Sequence, residues 1–580
     1  MTATADSNLN VRWLGTVDYQ ECWDLQRALY RRRHNHLLLC EHRPVFTLGR
    51  SGDEVNLLVD PAEVGAALHR VDRGGDITFH GPGQLVGYPV VSLPGKRGGT
   101  MADTVAYVTA VEQLIIDVVA ELGLEASRIR GCPGVWVDVD RPQPLKLAAI
   151  GVKVSQTRTM HGFALNVDTD LAWFERIVPC GLNDKGVTSL RAQGVEATMA
   201  DVVDLVTAHA PGLLTPGRAV DRQDVAWRHR RSDLAPFSRR AANADADADA
   251  DADAVNVDAV NVDAVNVDGV GEGLAGVPVR LGRRLAEAGV AEHLPIRERK
   301  PPWMRVEVRT DPGYLKLKKL SRSLQLTTVC EEARCPNIYE CWNEGTATFM
   351  LLGERCTRAC GFCLIDTTRP QPPDAAEPQR VAEAVQRLDL DYAVLTMVAR
   401  DDLDDGGADI VARTVEAIHH NNPAVGVEVL ISDLAGSAAA LDRICRAEPQ
   451  IVNHNMETVP RLQRAVRPSA AYARSLTVLA RASAAGRTTK SGIIVGMGER
   501  ADEVRSTLVD LAAVGVEIVT IGQYLRPSAE HLPLHRWWTP DELGELKAFG
   551  ENELGFARVE ASPLTRSSHH AASAAAVVSR

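Results

Sequence analysis

Six of the eleven cysteines fall within 34 residues, from Cys330 to Cys363. The last three, Cys356, Cys360 and Cys363, put three thiolates on one short loop, with Phe362 before the third. Three thiolates suit a 4Fe–4S cluster whose fourth iron has no protein ligand. An open iron can chelate the amino and carboxylate groups of S-adenosylmethionine, and electron transfer from the cluster then cleaves the sulfonium to a 5′-deoxyadenosyl radical. A zinc site would want a fourth Cys or His nearby. Cys330, Cys335 and Cys341 form a second triplet, compatible with zinc or with a second Fe–S cluster lacking one obvious ligand.

Three features of the first third of the chain could also do chemistry. Arg73-Gly74-Gly75-Asp76-Ile77-Thr78-Phe79-His80-Gly81-Pro82-Gly83-Gln84 is glycine-rich enough for backbone to approach a ligand closely, or to make a tight turn. Lys146 opens a strand-like run that reaches Gly151. Cys180 lies between Pro179 and Gly181, which places it on an exposed turn and suits a nucleophile, although most free cysteines are buried and inert.

These groups must be carried by more than one domain, because 580 residues exceed what a single core usually holds. Residues 243–268 contain only Ala, Asn, Asp and Val, and end in three Ala-Val-Asn-Val-Asp repeats starting at Ala254, Ala259 and Ala264. Such a segment cannot bury enough apolar surface to offset its ordering entropy. We expect a disordered linker over 241–289, spanning on the order of 35–40 Å as a random coil. It separates an N-terminal domain, 1–240, from a C-terminal domain, 290–580.

In the first domain, apolar residues from Val105 to Leu122 recur at helical spacing, with Asp103 or Thr104 as N-cap and Gly123 as the terminating glycine. Gly134–Val139, Leu147–Val154 and Gly162–Val167 read as strands, giving an α+β class. In the second domain, strands at Thr348–Leu352, Tyr392–Thr396, Gly426–Ile431, Ile451–Asn453, Gly492–Gly496 and Ile518–Gly522 alternate with helical stretches. Six βα units imply a partial parallel barrel. Polar clusters follow five of those strands: Cys356–Cys363, Arg400–Asp402, Asn453–Asn455, Gly496–Glu499 and Gln523–Arg526. Strand C-terminal ends are where barrels carry their sites.

Composition sets the outer limits. The net charge of −12 gives no reason to expect nucleic-acid binding, and no apolar run approaches a membrane span. The start, MTATADSNLN, lacks the basic and apolar regions of a secretory signal, so we expect a cytoplasmic protein with reduced thiols.

With these residues in view, 10–215 resembles the octanoyltransferases of lipoate biosynthesis, in the superfamily of lipoate and biotin protein ligases. The resemblance rests on 73–84, Lys146–Gly151, His161–Asn166 and Pro179–Gly181. It implies that Cys180 takes octanoyl from acyl carrier protein as a thioester and passes it to a carrier-domain lysine. Lys146 would keep Cys180 ionised and act as acid/base, and Lys153 would be a bystander. Arg73, Gly74, Gly75, Asp76, Ile77, Thr78, Phe79 and His80 would line the acyl pocket, with Ala149, Ile150, Gly151, Gly162, Phe163 and Ala164.

Residues 290–580 resemble lipoyl synthase, a radical S-adenosylmethionine enzyme, through Val329–Cys335, Gly345–Phe349, Arg400–Gly407, Asn453–Glu457, Lys490–Gly492, Gly522–Ser528 and Arg566–Ser568. This resemblance implies sulfur insertion at carbons six and eight of a protein-bound octanoyl chain. It supplies Ser568 as the missing ligand of an auxiliary 4Fe–4S cluster on Cys330, Cys335 and Cys341. An oxygen ligand is lost more easily than a thiolate, which suits a cluster that gives up its sulfur. His569 stands where that family usually has tyrosine.

Together these readings describe one bifunctional enzyme with two 4Fe–4S clusters and S-adenosylmethionine as cofactors. Its partners would be octanoyl-acyl carrier protein, the lipoyl-carrier domains of 2-oxoacid dehydrogenase and glycine cleavage complexes, and an electron donor, with no nucleic acid and no membrane. The alternatives are an Fe–S scaffold or a radical methylthiolase fused to an ATP-dependent lipoate or biotin ligase-like domain.

Overall fold

The computed structural model describes residues 8–178, 185–226, 284–304, 328, 337–338 and 347–578. The chain divides into two compact units, Met1–Trp227 and Arg228–Arg580. Most of the proposed linker, Cys180 and all of Cys330, Cys335 and Cys341 lie outside the described residues. The end of the proposed linker is a correction. Residues 284–289 begin with a helical turn, Leu285 is 2% exposed, and Glu287 pairs with Arg464 of the C-terminal unit. The Ala/Asp/Asn/Val composition has ended by this point, and a leucine preceded by two arginines and followed by Glu287 has both apolar surface and charge to anchor.

The N-terminal unit contains twelve described strands. They are β1 Asn8–Val17, β2 Asn35–His42, β3 Val45–Leu48, β4 Ala67–Arg70, β5 Ile77–His80 and β6 Gln84–Val90, followed by β7 Ser127–Ile129, β8 Cys132–Val137, β9 Leu145–Ser155, β10 Arg158–Asn166, β11 Gly186–Val187 and β12 Ala219–Asp224. The main sheet runs β12-β1-β2-β6-β10-β9-β8-β7, with β11 against β9, and a small sheet runs β4-β3-β5. Helices α1 (Tyr19–Tyr30), α2 (Thr104–Glu121) and α3 (Met199–Leu214) pack on the main sheet. Asp103 is the cap of α2, accepting from the Ala106 amide, and Gly123 ends it at φ 82°, a conformation that favours glycine. The expected strands match β8 and β9 to within two residues at each end, while β10 begins at Arg158, four residues before the expected start.

The C-terminal unit is a seven-stranded sheet in chain order: β13 Ala347–Leu351, β14 Tyr392–Met397, β15 Gly426–Leu430, β16 Ile451–Asn453, β17 Thr488–Val495, β18 Ile518–Gln523 and β19 Arg558–Ser562. Every neighbouring pair is parallel. Sequential order requires a crossover between each pair of strands, and α4 (Glu377–Leu388), α5 (Ala408–Asn421), α6 (Ala438–Arg446), α7 (Tyr472–Ala484), α8 (Ala501–Ala513) and α9 (Pro540–Ala548) lie in the six crossovers. Val427 and Val429 of the sheet and Val411, Val415 and Ile444 of the helices are buried in one cluster. Each such side chain contributes about 1.5–3 kcal/mol on leaving water. The six expected strands are all present. The seventh, β19, extends the expected six-unit barrel.

Candidate active sites

In the N-terminal unit, pairing brings the expected pocket residues together. Across β9 and β10, Gly151 faces Gly162, Ile150 faces Phe163, and Ala149 faces Ala164. The Gly74 amide donates to Val152 O at 3.0 Å, which lays the Arg73–Gly75 turn on β9. A Cβ at Gly151 would sit 2.9 Å from Arg73 Cδ, so this approach needs glycine. Arg73 is pinned from behind, donating to Thr47 O at 2.6 Å and Thr47 Oγ1 at 2.8 Å. Asp76 accepts from Asn56 Nδ2 at 2.8 Å, Thr78 lies on β5, and Ile77 and Phe79 point into the small sheet's core, where Phe79 stacks on Trp173.

His80 is buried, and burial pushes its imidazole down to about 3. It is therefore neutral, and Nδ1 donates to Gln84 Oε1 at 2.8 Å. Gln84 Nε2 donates to Asn166 Oδ1, and Asn166 Nδ2 donates to Thr188 O. The Thr188 amide in turn donates to Lys146 O at 3.0 Å. One hydrogen-bond chain therefore joins the 73–84 motif, the 161–166 motif and the strand of Lys146. Lys146 Nζ lies 4.7 Å from the Trp136 ring centroid, and Trp136 is its partner across β8 and β9. Both flanks of Pro179–Asp184 are tied to this region. The Val178 amide donates to Asn56 O, and Gly186 and Val187 pair in parallel with Leu145 and Lys146.

Sequence inspection passed over Asp72. It accepts from His161 Nε2 at 2.7 Å and Lys153 Nζ at 2.6 Å, and these partners hold its carboxyl well below the usual range. It joins the 73–84 and 161–166 motifs from behind. Lys153, spent on Asp72, is thereby set apart from Lys146.

In the C-terminal unit the loop after β13 carries Cys356, Cys360 and Cys363. Arg358, between the first two, donates to Asp401 at 2.6 and 2.8 Å and to fully buried Asp433 at 2.7 Å. Thr357 Oγ1 also reaches Asp401, at 2.7 Å. From the opposite side His531 Nε2 donates to Cys363 O, while its Nδ1 meets Ser528 Oγ at 2.7 Å. The Leu532 amide donates to Gly361 O, and a Cβ at Gly361 would strike Leu532. Asp401 belongs to the cluster after β14, Asp433 follows β15, and Ser528 follows β18. The loop is held by three strand ends.

The donor set fits a cluster better than a single ion. Zinc holds two thiolates about 3.8 Å apart. Among the described residues, one group of three ligand atoms lies within 4.8 Å of one another, and it is Cys22, Cys40 and His42. The three loop thiols are spread wider, as thiolates on different irons must be. Burial pushes the Cys360 thiol up to about 12 and raises Cys356 as well, so bare thiolates are disfavoured there and a cationic group is needed to hold them ionised.

Comparison with known proteins agrees with this geometry. Residues 286–335 match the N-terminal domain of lipoyl synthase of the radical SAM family, and 350–511 match the radical SAM superfamily. Lipoyl synthase of Mycobacterium ulcerans is 51% identical over 299 residues, covering 52% of this chain and 92% of the relative. The chain belongs to the lipoyl synthase family. Lipoyl synthase of Rubrobacter xylanophilus is also 51% identical, over 48% of this chain and 89% of its own length. Residues 18–210 match the lipoyl protein ligase A/B catalytic domain, so a ligase-like α+β domain precedes the synthase. A solved structure of a putative lipoate protein ligase from T. acidophilum with bound lipoic acid overlays 37% of this chain at 18% identity and a TM-score of 0.30.

The family brings 4Fe–4S chemistry and S-adenosylmethionine to the synthase unit, and lipoyl-carrier domains as its substrate class. Its second cysteine triplet lies outside the described residues, but the chain on either side does not. Thr328 forms a bridge with Phe349 of β13, and Asn337 Nδ2 donates to Leu564 O at 2.7 Å. Leu564 lies four residues before Ser568, and Ser567 Oγ accepts from Asn455 Nδ2 at 2.8 Å. Sequence inspection also left Glu428 out. Lys490 Nζ donates to both its carboxylate oxygens, at 2.9 and 3.1 Å, and Asn453 Nδ2 donates at 2.8 Å, all fully buried inside the synthase sheet. Among the described residues no helix is long and apolar enough to cross a membrane.

Proposed function

We propose that the chain performs two consecutive steps of lipoate assembly. The first unit transfers octanoyl from acyl carrier protein to a carrier-domain lysine, and the second inserts sulfur at carbons six and eight. The observation that supports this most is the hydrogen-bond chain from His80 through Gln84, Asn166 and Thr188 to the strand of Lys146. It gathers the motifs of a transferase around the point where the segment bearing Cys180 rejoins the sheet. Cys180 attacks the octanoyl thioester, the carrier-protein thiol leaves with a proton, and the carrier lysine then displaces Cys180 to form an amide. Lys146 holds the thiolate and moves the proton. Arg73–His80, Ala149–Gly151 and Gly162–Ala164 shape the apolar channel.

In the second unit Cys356, Cys360 and Cys363 would hold one 4Fe–4S cluster, which would supply the electron for cleaving S-adenosylmethionine after reduction by a donor of the host, and Cys330, Cys335, Cys341 and Ser568 would hold another. Arg358, Asp401 and Asp433 fix the loop and exclude water from it. A cytoplasmic setting, with reduced thiols, suits both steps.

The matched ligase A/B domain also covers ATP-dependent lipoate ligases, which adenylate a free acid. ATP independence with octanoyl-acyl carrier protein separates the two readings. Intact mass of a carrier domain tests the whole proposal: about +126 Da for octanoyl and about +188 Da for lipoyl. Cys180→Ala should abolish the first addition yet still convert a carrier already octanoylated. Cys360→Ala should do the reverse and accumulate the octanoyl form. Normal octanoylation by Cys180→Ala refutes the nucleophile, and lipoyl product from Cys360→Ala refutes the radical loop.

A further inference from the structure

The N-terminal unit holds a second cluster of soft ligands that the acyl chemistry does not use. Cys40 and His42 are two apart on β2, so their side chains leave the same face of the strand. Cys22 comes from the buried face of α1, which packs over that sheet. All three residues are 0% exposed. Their ligand atoms lie within 4.8 Å of one another, and Cys40 Sγ is 3.7 Å from His42 Nε2. A zinc ion holding a thiolate and an imidazole in a tetrahedron sets those atoms about 3.6 Å apart. Both cysteines are free thiols.

The imidazole is already arranged as a ligand. His42 Nδ1 lies 2.9 Å from Val17 O. A carbonyl can only accept, so Nδ1 carries the proton and Nε2 presents its lone pair to the cluster. Metal-binding histidines are commonly oriented in this way, through the far nitrogen on a backbone carbonyl. Tyr88 Oη, 2.8 Å from Nε2, donates its hydroxyl proton to that lone pair when no cation is bound and must turn aside when one is.

We propose that Cys22, Cys40 and His42 form a closed site for one thiophilic cation, zinc(II) or copper(I), with Tyr88 beside it. Two thiolates neutralise a divalent ion, which removes most of the penalty of burying charge in an apolar interior. Binding releases the two thiol protons and breaks no other covalent bond. The site has no exposed ligand, so the cation enters as α1 docks on the sheet and binding is coupled to folding. It fastens α1 to β2 directly behind His80, because Tyr19 of α1 packs against both His42 and His80. The bland reading of the same atoms is a thiol–imidazole hydrogen bond in a dry core.

The test uses the full chain, grown with added zinc or, separately, added copper, and purified anaerobically. Metal per chain is measured for the wild type, Cys22→Ser, Cys40→Ser and the control Cys132→Ser, with iron as the internal standard because none of these residues is an iron ligand. About one zinc or copper per chain should disappear in the first two variants and persist in the control, with iron unchanged. Zinc- or copper-edge X-ray absorption on the wild type gives a readout that does not depend on variants folding. Two sulfur neighbours near about 2.3 Å with nitrogen or oxygen in the remaining positions support the site. A wild type without either metal, metal retained in both variants, or an all-sulfur shell overturns it.

Discussion

The two units position their candidate site residues by different means. Around β9 of the first unit, position is set by backbone pairing, glycines and one neutral hydrogen-bond chain, and Ala149, Ile150 and Gly151 keep part of their surface open. Around Cys356–Cys363 of the second, position is set by charge, with Arg358 gripped by Asp401 and by an aspartate with no exposed surface. The acyl exchange proposed for the first unit would need an accessible rim, and a shallow paired strand offers one. Radical chemistry needs a loop that neither moves nor admits water, and buried ion pairs provide that at the expense of desolvation.

The largest effect should come from separating the two cysteine triplets. Replacing Cys330, Cys335 and Cys341 by Ala should halve the iron, from about eight to about four per chain, and abolish lipoyl product while S-adenosylmethionine is still cleaved. Octanoyl transfer by the first unit should be untouched. Loss of cleavage in that variant would show that the triplets are not independent.

Next in size is the charged interior of the synthase unit. Glu428→Gln leaves Lys490 buried without its counter-ion, which should lower the stability of that unit by about 3–5 kcal/mol. Glu428→Leu with Lys490→Met should recover most of this, because well-packed apolar groups replace a buried pair at little loss. Denaturant melts of the wild type, Glu428→Leu, Lys490→Met and the double variant give the coupling energy. A double variant as unstable as Glu428→Gln would mean that the pair's geometry, rather than its charge balance, sustains the barrel.

The first unit should respond to steric change instead. A Cβ at Gly162 would lie 2.0 Å from Gly87 O, which is backbone and cannot swing aside. Gly162→Ala should therefore cost about 1–3 kcal/mol by prising β10 from β6, and should slow octanoyl transfer. Melting of the first unit and the transfer rate check this, and the synthase activity of the same protein is the control. An unchanged melt would show that the sheet yields more easily than its register suggests.

How much of this was legible in the sequence follows the same divide. Strands with apolar runs, such as Tyr392–Met397 and Ile518–Gln523, announced themselves, and so did the site positions at their ends. Strand β17 was expected to begin at Gly492 and begins at Thr488, because Lys490 reads as a surface residue until Glu428, 62 positions away, is known to face it. Strand β19 was missed because Arg558 and Glu560 look solvent-facing and their ion pair is local. Asp72 and the Cys22, Cys40 and His42 cluster were invisible for a similar reason. Each joins residues from separate elements, and the one short spacing, Cys40 to His42, reads as ordinary strand until Cys22 of α1 is known to meet it.

The smallest effect concerns protons, and it compares the two units directly. His454 of the synthase unit is wedged between Ile431 O and Ser475 Oγ, each at 3.0 Å, and burial, with Arg467 adding to it, pushes its imidazole down to about 4. An unfolded histidine titrates near 6.5. Above that pH neither state is protonated, and His454 adds no slope. Between about 6.5 and about 4 only the unfolded chain takes the proton, so stability falls with pH by up to about 1.4 kcal/mol per unit. Below about 4 the slope vanishes again. His161 of the first unit is also lowered by burial, but Asp72 at 2.7 Å pulls it back towards its ordinary value, so its slope should be shallower. Hydrogen exchange of β16 and β17 against β9 and β10, followed from pH 7 to pH 5, reads the two units in one protein. His80 of the first unit, lowered to about 3, adds slope there too, so protection should fall in both units. His454→Gln, which cannot titrate, should flatten the fall in the synthase strands while leaving the first unit's slope as it was. An equal slope with and without His454 would assign the acid sensitivity to the buried carboxylates instead.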